Sequence, residues 1–211
     1  MGRGRPKKES SRAMKKMRRL RRTYADPSDC PYKKMCNGII SKIVAGMKNH
    51  CTVLDGRRCD STKALISAGV SPKKITVVEV FKNINRYTAT KLGAAHCNTS
   101  IGRYFGLRKS SQKRHGFVYF DFTGNVKSLA EFKRAIPLLR KRNCAKKLYI
   151  ATSFHSGMFN KPTLKCEDGM YDECLDVMKA AFPRRCVRKK DYRKYKRRGG
   201  EMWFTVFSLT R

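Results

Sequence analysis

Acidic residues are scarce in this 211-residue chain: fifteen Asp and Glu stand against fifty Lys and Arg, a formal charge of +35 at pH 7. A chain so charged repels itself unless a polyanion neutralises it, so nucleic acid is the expected partner. No apolar run reaches the roughly 18 residues that a membrane-spanning helix needs. No apolar block of signal-peptide type opens the chain. The expectation is an intracellular protein with no membrane role, of a nucleus or of a virion or viral factory.

Other absences are equally informative. No pair among the nine cysteines has the C-x2-C spacing of a zinc ribbon, and an odd count spread over the chain is no secreted disulfide framework. Buried thiols and no metal centre are expected. A G-x4-G-K-[ST] loop is missing, which excludes a P-loop nucleotidase. Ser153, His155 and Ser156 follow an apolar strand, but no acid is placed by spacing to complete a hydrolytic triad.

What is present divides the chain at residue 30. Residues 1–22 carry eleven Lys and Arg with one Glu and cannot pack a core, so residues 1–29 read as a basic nucleic-acid-binding extension. Within it, "GRGRPKK" resembles an AT-hook, with Arg3, Gly4, Arg5 and Pro6 as its core. A narrow Gly-containing segment flanked by arginines suits the minor groove of A·T-rich DNA, which makes DNA the favoured nucleic acid. A second block, Arg184 to Arg198, holds ten Lys and Arg against one acid. Alternation there puts several basic residues on one face, with Tyr192 and Tyr195 interleaved to stack bases, and Lys189, Lys190, Arg193, Lys194, Arg197 and Arg198 are the candidates for phosphate contact.

Between the blocks, helical and strand periodicities alternate. "CNGIISKIVAGMKNH", "STKALISAG" and "FKNINRYTATKLG" read as helices, with Asp60 or Ser61 as the N-cap of the second. "TVLD", "KITVVEV", "GFVYFDF" and "KKLYIATSF" read as strands, several apolar enough for burial on both faces. Residues 94–114 show no pattern. "VKSLAEFKRAIPLLRKRN" is a helix that Pro137 should kink, and "MYDECLDVMKAAF" is another. "VRKKDYRKY" and "EMWFTVFSLT" form a hairpin across "KRRGG". Residues 30–211 therefore predict one α/β domain: a Rossmann-like, mostly parallel sheet of six or seven strands, helices on both faces, and a C-terminal antiparallel hairpin.

Ligands of such sheets bind beyond the carboxyl ends of the strands. Asp55 and Gly56 follow the first strand, Glu79 ends the second, and Asp121 ends "FVYFD". The same acids could instead cap the helices that follow them. With "VLDG", "VVEV" and "YFDFTG" at these three places, residues 36–211 resemble the class I S-adenosylmethionine-dependent methyltransferases. The resemblance implies that Asp55, Gly56 and Glu79 bind S-adenosyl-L-methionine and that Asp121 is catalytic, facing a methyl acceptor on DNA or RNA. The chain departs from the family pattern in its turn, where Arg57, Arg58 and Cys59 stand in place of spaced glycines, and in "DFTG", where base-amine methylases carry a proline-proline-aromatic motif. Two other readings stay open: a non-enzymatic DNA-packaging protein on a degenerate scaffold, and a nuclease holding Mg2+ on Asp55, Glu79 and Asp121.

Overall fold

The strand and helix periodicities assemble into one seven-stranded sheet. The computed structural model describes residues 31–56, 58–80, 86–122, 127–155, 169–197 and 200–211. The first half runs α1 (Pro31–Val44), β1 (His50–Leu54), α2 (Asp60–Ser67), β2 (Ile75–Glu79), α3 (Arg86–Lys91), β3 (Ala95–Asn98) and α4 (Ile101–Gly106). The second runs α5 (Arg108–Ser111), β4 (His115–Asp121), α6 (Lys127–Arg140), β5 (Cys144–His155), α7 (Gly169–Ala181), β6 (Cys186–Arg197) and β7 (Gly200–Thr210). The strand order is β3-β2-β1-β4-β5-β7-β6. The first five strands are mutually parallel, and β7 lies antiparallel between β5 and β6. The expected fold class is the observed one.

Side-chain alternation along the strands divides the core in two. On one face Val118, Phe120, Ile150, Phe154, Trp203 and Phe207 meet apolar side chains of α4, α6 and α7. On the other, Val53, Val77, Phe117, Tyr119, Ala151 and Phe204 meet Cys36, Ile40 and Val44 of α1, Leu65 of α2 and Ala89 of α3. The parallel strands β1, β2, β4 and β5 are therefore buried on both sides, which is why their sequences read as continuous apolar runs.

Three local features differ from the sequence reading. β3 lies in the stretch without a pattern, because it has four residues at a sheet edge and only Cys97 is buried. α1 begins at Pro31, five residues earlier than its apolar stripe, since Pro is pre-organised for a first helical turn. The α6 helix runs through Pro137, as the sequence reading has it. Both Pro137 and Lys133, whose carbonyl loses its helical donor, are on the exposed side, where water replaces the lost partner. Finally, the β6 pairing steps from Lys189↔Phe207 to Asp191↔Val206, a bulge that leaves Lys190 unpaired. The bulge resets the alternation after Lys190, so Lys189 and Tyr192 share the α7 side, and Tyr195, three residues further on, falls by ordinary alternation on the α1 side. The two tyrosines do not share a face.

Candidate functional site

The strand order reverses between β1 and β4, so the crevice for a ligand opens beyond the carboxyl ends of these two strands. Register carries one row of polar residues across that edge. Asn98 pairs with Glu79, Val78 with Leu54, Val53 with Tyr119, and Asp121 with Ser153. Asn98, Glu79 and Asp121 end their strands, Asp55 directly follows β1, and Ser153 stands level with Asp121 near the end of β5. The three acids chosen from the sequence are brought to one edge.

Their roles differ. Asp55 is buried, and its carboxylate organises the turn that follows it. One oxygen accepts from the backbone N–H of Gly56 at 3.0 Å and of Ser61 at 3.4 Å. The other accepts from the Thr62 N–H at 2.7 Å and its hydroxyl at 2.8 Å. Asp55 therefore caps α2 from five residues before the helix, the position expected of Asp60 or Ser61. Burial pushes its carboxyl up to about 6, against the pull of the Lys33 ammonium and the Thr62 hydrogen bonds.

One residue of the turn has a backbone conformation that glycine favours. Cys59, the residue before α2, has φ 53° and ψ 43°, and no other non-glycine among the described residues has a positive φ. A side chain in this left-handed region is strained, and Gly adopts it without cost. Gly56 faces open space: a Cβ built there meets no atom within 4 Å. The Arg58 side chain is about half exposed and turns to Asp60 at 3.8 Å, so it does not fill the turn.

Asp121 lies on the α1 side of the sheet, and its carboxylate pairs with the Lys33 ammonium from the first turn of α1. The Tyr119 hydroxyl donates to Asp121 at 3.2 Å and lies 2.7 Å from the Ser153 hydroxyl. Burial by itself would lower the Lys33 pKa, but the charges of Asp121 and Asp55 outweigh it and raise the value. The crevice thus holds an ammonium between two carboxylates. Tyr32, one residue earlier, stacks on Tyr195 of β6 with centroids 4.8 Å apart and rings 11° from parallel. This contact fixes the start of α1 over the sheet edge.

Glu79 ends β2 half-buried, and the Asn98 amide donates to the carbonyls of Glu79 at 2.9 Å and Val80 at 3.0 Å. The Mg2+ reading fails here. Asp55 is taken up by the turn and Asp121 by Lys33, and among the described residues no group of three ligating side chains converges.

Lys33, Tyr119 and Asn98 were not singled out from the sequence, and Ser153 was weighed only for a hydrolytic triad. Lys33 is one of fifty basic residues, and only the fold distinguishes it. Tyr119 and Ser153 could have been found by counting two residues back from Asp121 and by reading the end of the fifth strand.

The basic residues of the hairpin are dispersed. Lys189 lies over the rings of Tyr171 and Tyr192 at 4.7 and 5.7 Å. Arg193 pairs with Asp191 and Lys194 with Glu201, each at 3.3 Å. Lys190 is exposed at the bulge, and Arg197 ends β6. Arg3, Gly4, Arg5, Pro6 and Arg198 lie outside the described residues.

No family model and no curated protein matches the sequence. Solved structures do match. The N-methyltransferase NodS of Bradyrhizobium japonicum, in complex with S-adenosyl-L-homocysteine, superposes with a TM-score of 0.58 at 9% identity, over 92% of this chain and 98% of that one. The 1,6-didemethyltoxoflavin-N1-methyltransferase of Burkholderia thailandensis, also with bound S-adenosylhomocysteine, gives 0.57 at 11%, over 100% and 94%. This is the class I methyltransferase fold. A Streptococcus mutans protein assigned to the SAM-dependent methyltransferases gives 0.55 at 10% identity, and the match covers 83% of this chain and 48% of that one. Identities this low describe the fold and leave the chemistry to the site's own residues.

Proposed function

We propose that this chain is an S-adenosyl-L-methionine-dependent methyltransferase acting on nucleic acid, and that its acceptor is a hydroxyl. The observation that carries the reading is the Lys33–Asp121 pair at the point where the strand order reverses. The residues fit the cofactor. Among the described residues nothing crowds a Cβ on Gly56, Arg58 reaches to Asp60, and the buried Ser61 hydroxyl has no hydrogen-bond partner. Glu79, at the end of the neighbouring strand, is placed to accept from ribose hydroxyls. When bound, the cofactor supplies an electrophilic methyl carbon on a sulfonium, which departs as a neutral thioether.

The chain's part is to orient the acceptor and manage its proton. An amine nucleophile gains positive charge as it attacks, which the Lys33 ammonium opposes. A hydroxyl oxygen develops negative charge as its proton leaves, which the same ammonium stabilises. Asp121 accepts that proton while Tyr119, braced against Ser153, holds the carboxylate in place. Within a nucleic-acid chain the ribose 2′-hydroxyl supplies such an acceptor, and DNA lacks it. We therefore favour RNA over the DNA expected from the terminal motif. The +35 charge supports a polyanionic substrate.

The test is transfer of labelled methyl from S-adenosyl-L-methionine to RNA and DNA of one sequence, alongside calorimetry with S-adenosylhomocysteine. RNA should be labelled and DNA not. Asp121→Asn and Lys33→Met should each lower transfer by roughly 10²–10³-fold, as loss of one charge-stabilising group does, with cofactor affinity kept. Glu79→Ala should abolish cofactor binding. No binding by the wild type at millimolar ligand refutes the reading.

A further inference from the structure

At the opposite edge of the sheet, about nine residues or roughly 30 Å along β5 from Ser153, the structure holds a second basic feature that the proposed chemistry does not use. A cavity of about 400 Å3 is lined by Arg140, Arg142, Arg184, Arg185 and Arg211, with Phe182, Pro183 and Cys144 as its remaining walls. It lies where α6 and α7 end and where β5 and β6 begin. Among the described residues no Asp or Glu side chain lines it, and none of the five arginines makes an ion pair.

A bland explanation covers two of the five. Arginines near helix C-termini satisfy open carbonyls. Arg142 donates to the Phe105 carbonyl, and Arg185 donates to Ala145 at 2.9 Å and Leu209 at 3.4 Å while lying over the Phe182 ring. These two are half-buried and held rigidly. Arg140, Arg184 and Arg211 are exposed, and among the described residues no partner accepts a hydrogen bond from their guanidinium groups. Five guanidinium charges converging on a cavity lined by no Asp or Glu side chain repel one another, and an anion that joins them relieves the repulsion. A guanidinium fork fits phosphate oxygens two at a time, and the two fixed forks need no ordering on binding.

We propose that this arginine cavity is a phosphate-binding site occupied by the backbone of the nucleic-acid substrate, an anchor remote from the methyl-transfer crevice. The proposal rests on the reading of nucleic acid as the acceptor. It makes the sheet a bridge: substrate held at the amino edge is presented at the carboxyl edge, and affinity depends on residues that touch no reacting atom.

The test is fluorescence anisotropy of the full chain with a labelled single strand of about 20 nucleotides, which is longer than the sheet, titrated against salt. Arg140→Gln with Arg184→Gln removes two exposed charges and leaves the fixed arginines in place. This variant should weaken binding at least fivefold at physiological salt and reduce the salt slope by between one and two. Lys73→Gln with Lys74→Gln removes the same charge from the amino edge near β2 and should change affinity less than twofold. Equal losses in both variants, or none in the arginine variant, overturn the proposal. A second arm follows the melting temperature with inorganic pyrophosphate. A rise that the arginine variant abolishes, with RNA affinity unchanged, would assign the cavity to a free phosphate ligand and overturn the backbone assignment. If RNA binding depends on the arginines but no methyl transfer occurs, the site stands and the methyltransferase reading falls.

Discussion

Lowering the pH from 7.5 to 5 should destabilise this protein by about 3 kcal/mol, and two buried histidines set that figure. His50 begins β1 and His115 begins β4, side by side in register, with ring centroids 5.7 Å apart. His50 hydrogen-bonds the Thr76 hydroxyl at 2.8 Å. His115 lies 3.3 Å from the hydroxyls of both Thr52 and Ser110 and 3.1 Å from the Ser110 carbonyl. Burial, with Lys113 and His115 nearby, lowers the His50 pKa to about 3. Burial lowers His115 to about 4, opposed by its bond to the Ser110 carbonyl and aided by Lys113 and Arg142. Both are neutral in the folded chain at pH 5, whereas an unfolded histidine titrates near 6.5. Stability from these groups is full above the unfolded value and is lost as the pH falls toward the folded value, because the unfolded state takes up the protons. At pH 5 each costs ~2 kcal/mol, ~4 together. Asp55 works the other way. With a folded value of about 6, its protonation on acidification returns ~1.4 kcal/mol. Urea unfolding monitored by Trp203 fluorescence at the two pH values measures the net. His50→Gln, which retains an acceptor and a donor for Thr76, should remove about half of the histidine contribution. An unchanged pH slope in that variant, or stability that rises on acidification, refutes the argument.

Two further predictions concern backbone positions. A Cβ on Gly116, which lies in β4 beside the register shift after His115, would stand 2.6 Å from the Asn49 Cβ and 3.1 Å from the Met47 sulfur. Gly116→Ala should therefore cost about 1–3 kcal/mol of unfolding free energy by overpacking, and a neutral result would show that the 45–49 turn yields freely. At Cys59, alanine keeps the left-handed strain and glycine relieves it, while both remove the buried thiol. Cys59→Gly should exceed Cys59→Ala in stability by about 0.5–1 kcal/mol, and the reverse order would show that the turn does not need that backbone conformation.

Much of the architecture was legible because parallel strands buried on both faces leave continuous apolar runs, and "TVL", "ITVV", "FVYF" and "LYIA" all became central strands. β3 escaped because an edge strand of four residues with one buried side chain carries no period. The hairpin was found, but not its faces, since a one-residue bulge is invisible in composition and moves every later side chain to the other side. The acids at the strand ends were found as a set. Their division of labour was not, because capping from Asp55 to Thr62 spans seven residues of turn whose path only the fold draws.

By itself, then, the sequence determined that this chain is a basic α/β domain with Asp55, Glu79 and Asp121 at strand ends, for these follow from local periodicity and charge. Tertiary structure decided the rest. It took Lys33 out of fifty cations and set it between Asp55 and Asp121, and it closed five arginines from four segments around one cavity. Both arrangements join residues distant in the chain, and charges are brought together only where a packed sheet and its helices fix their separation.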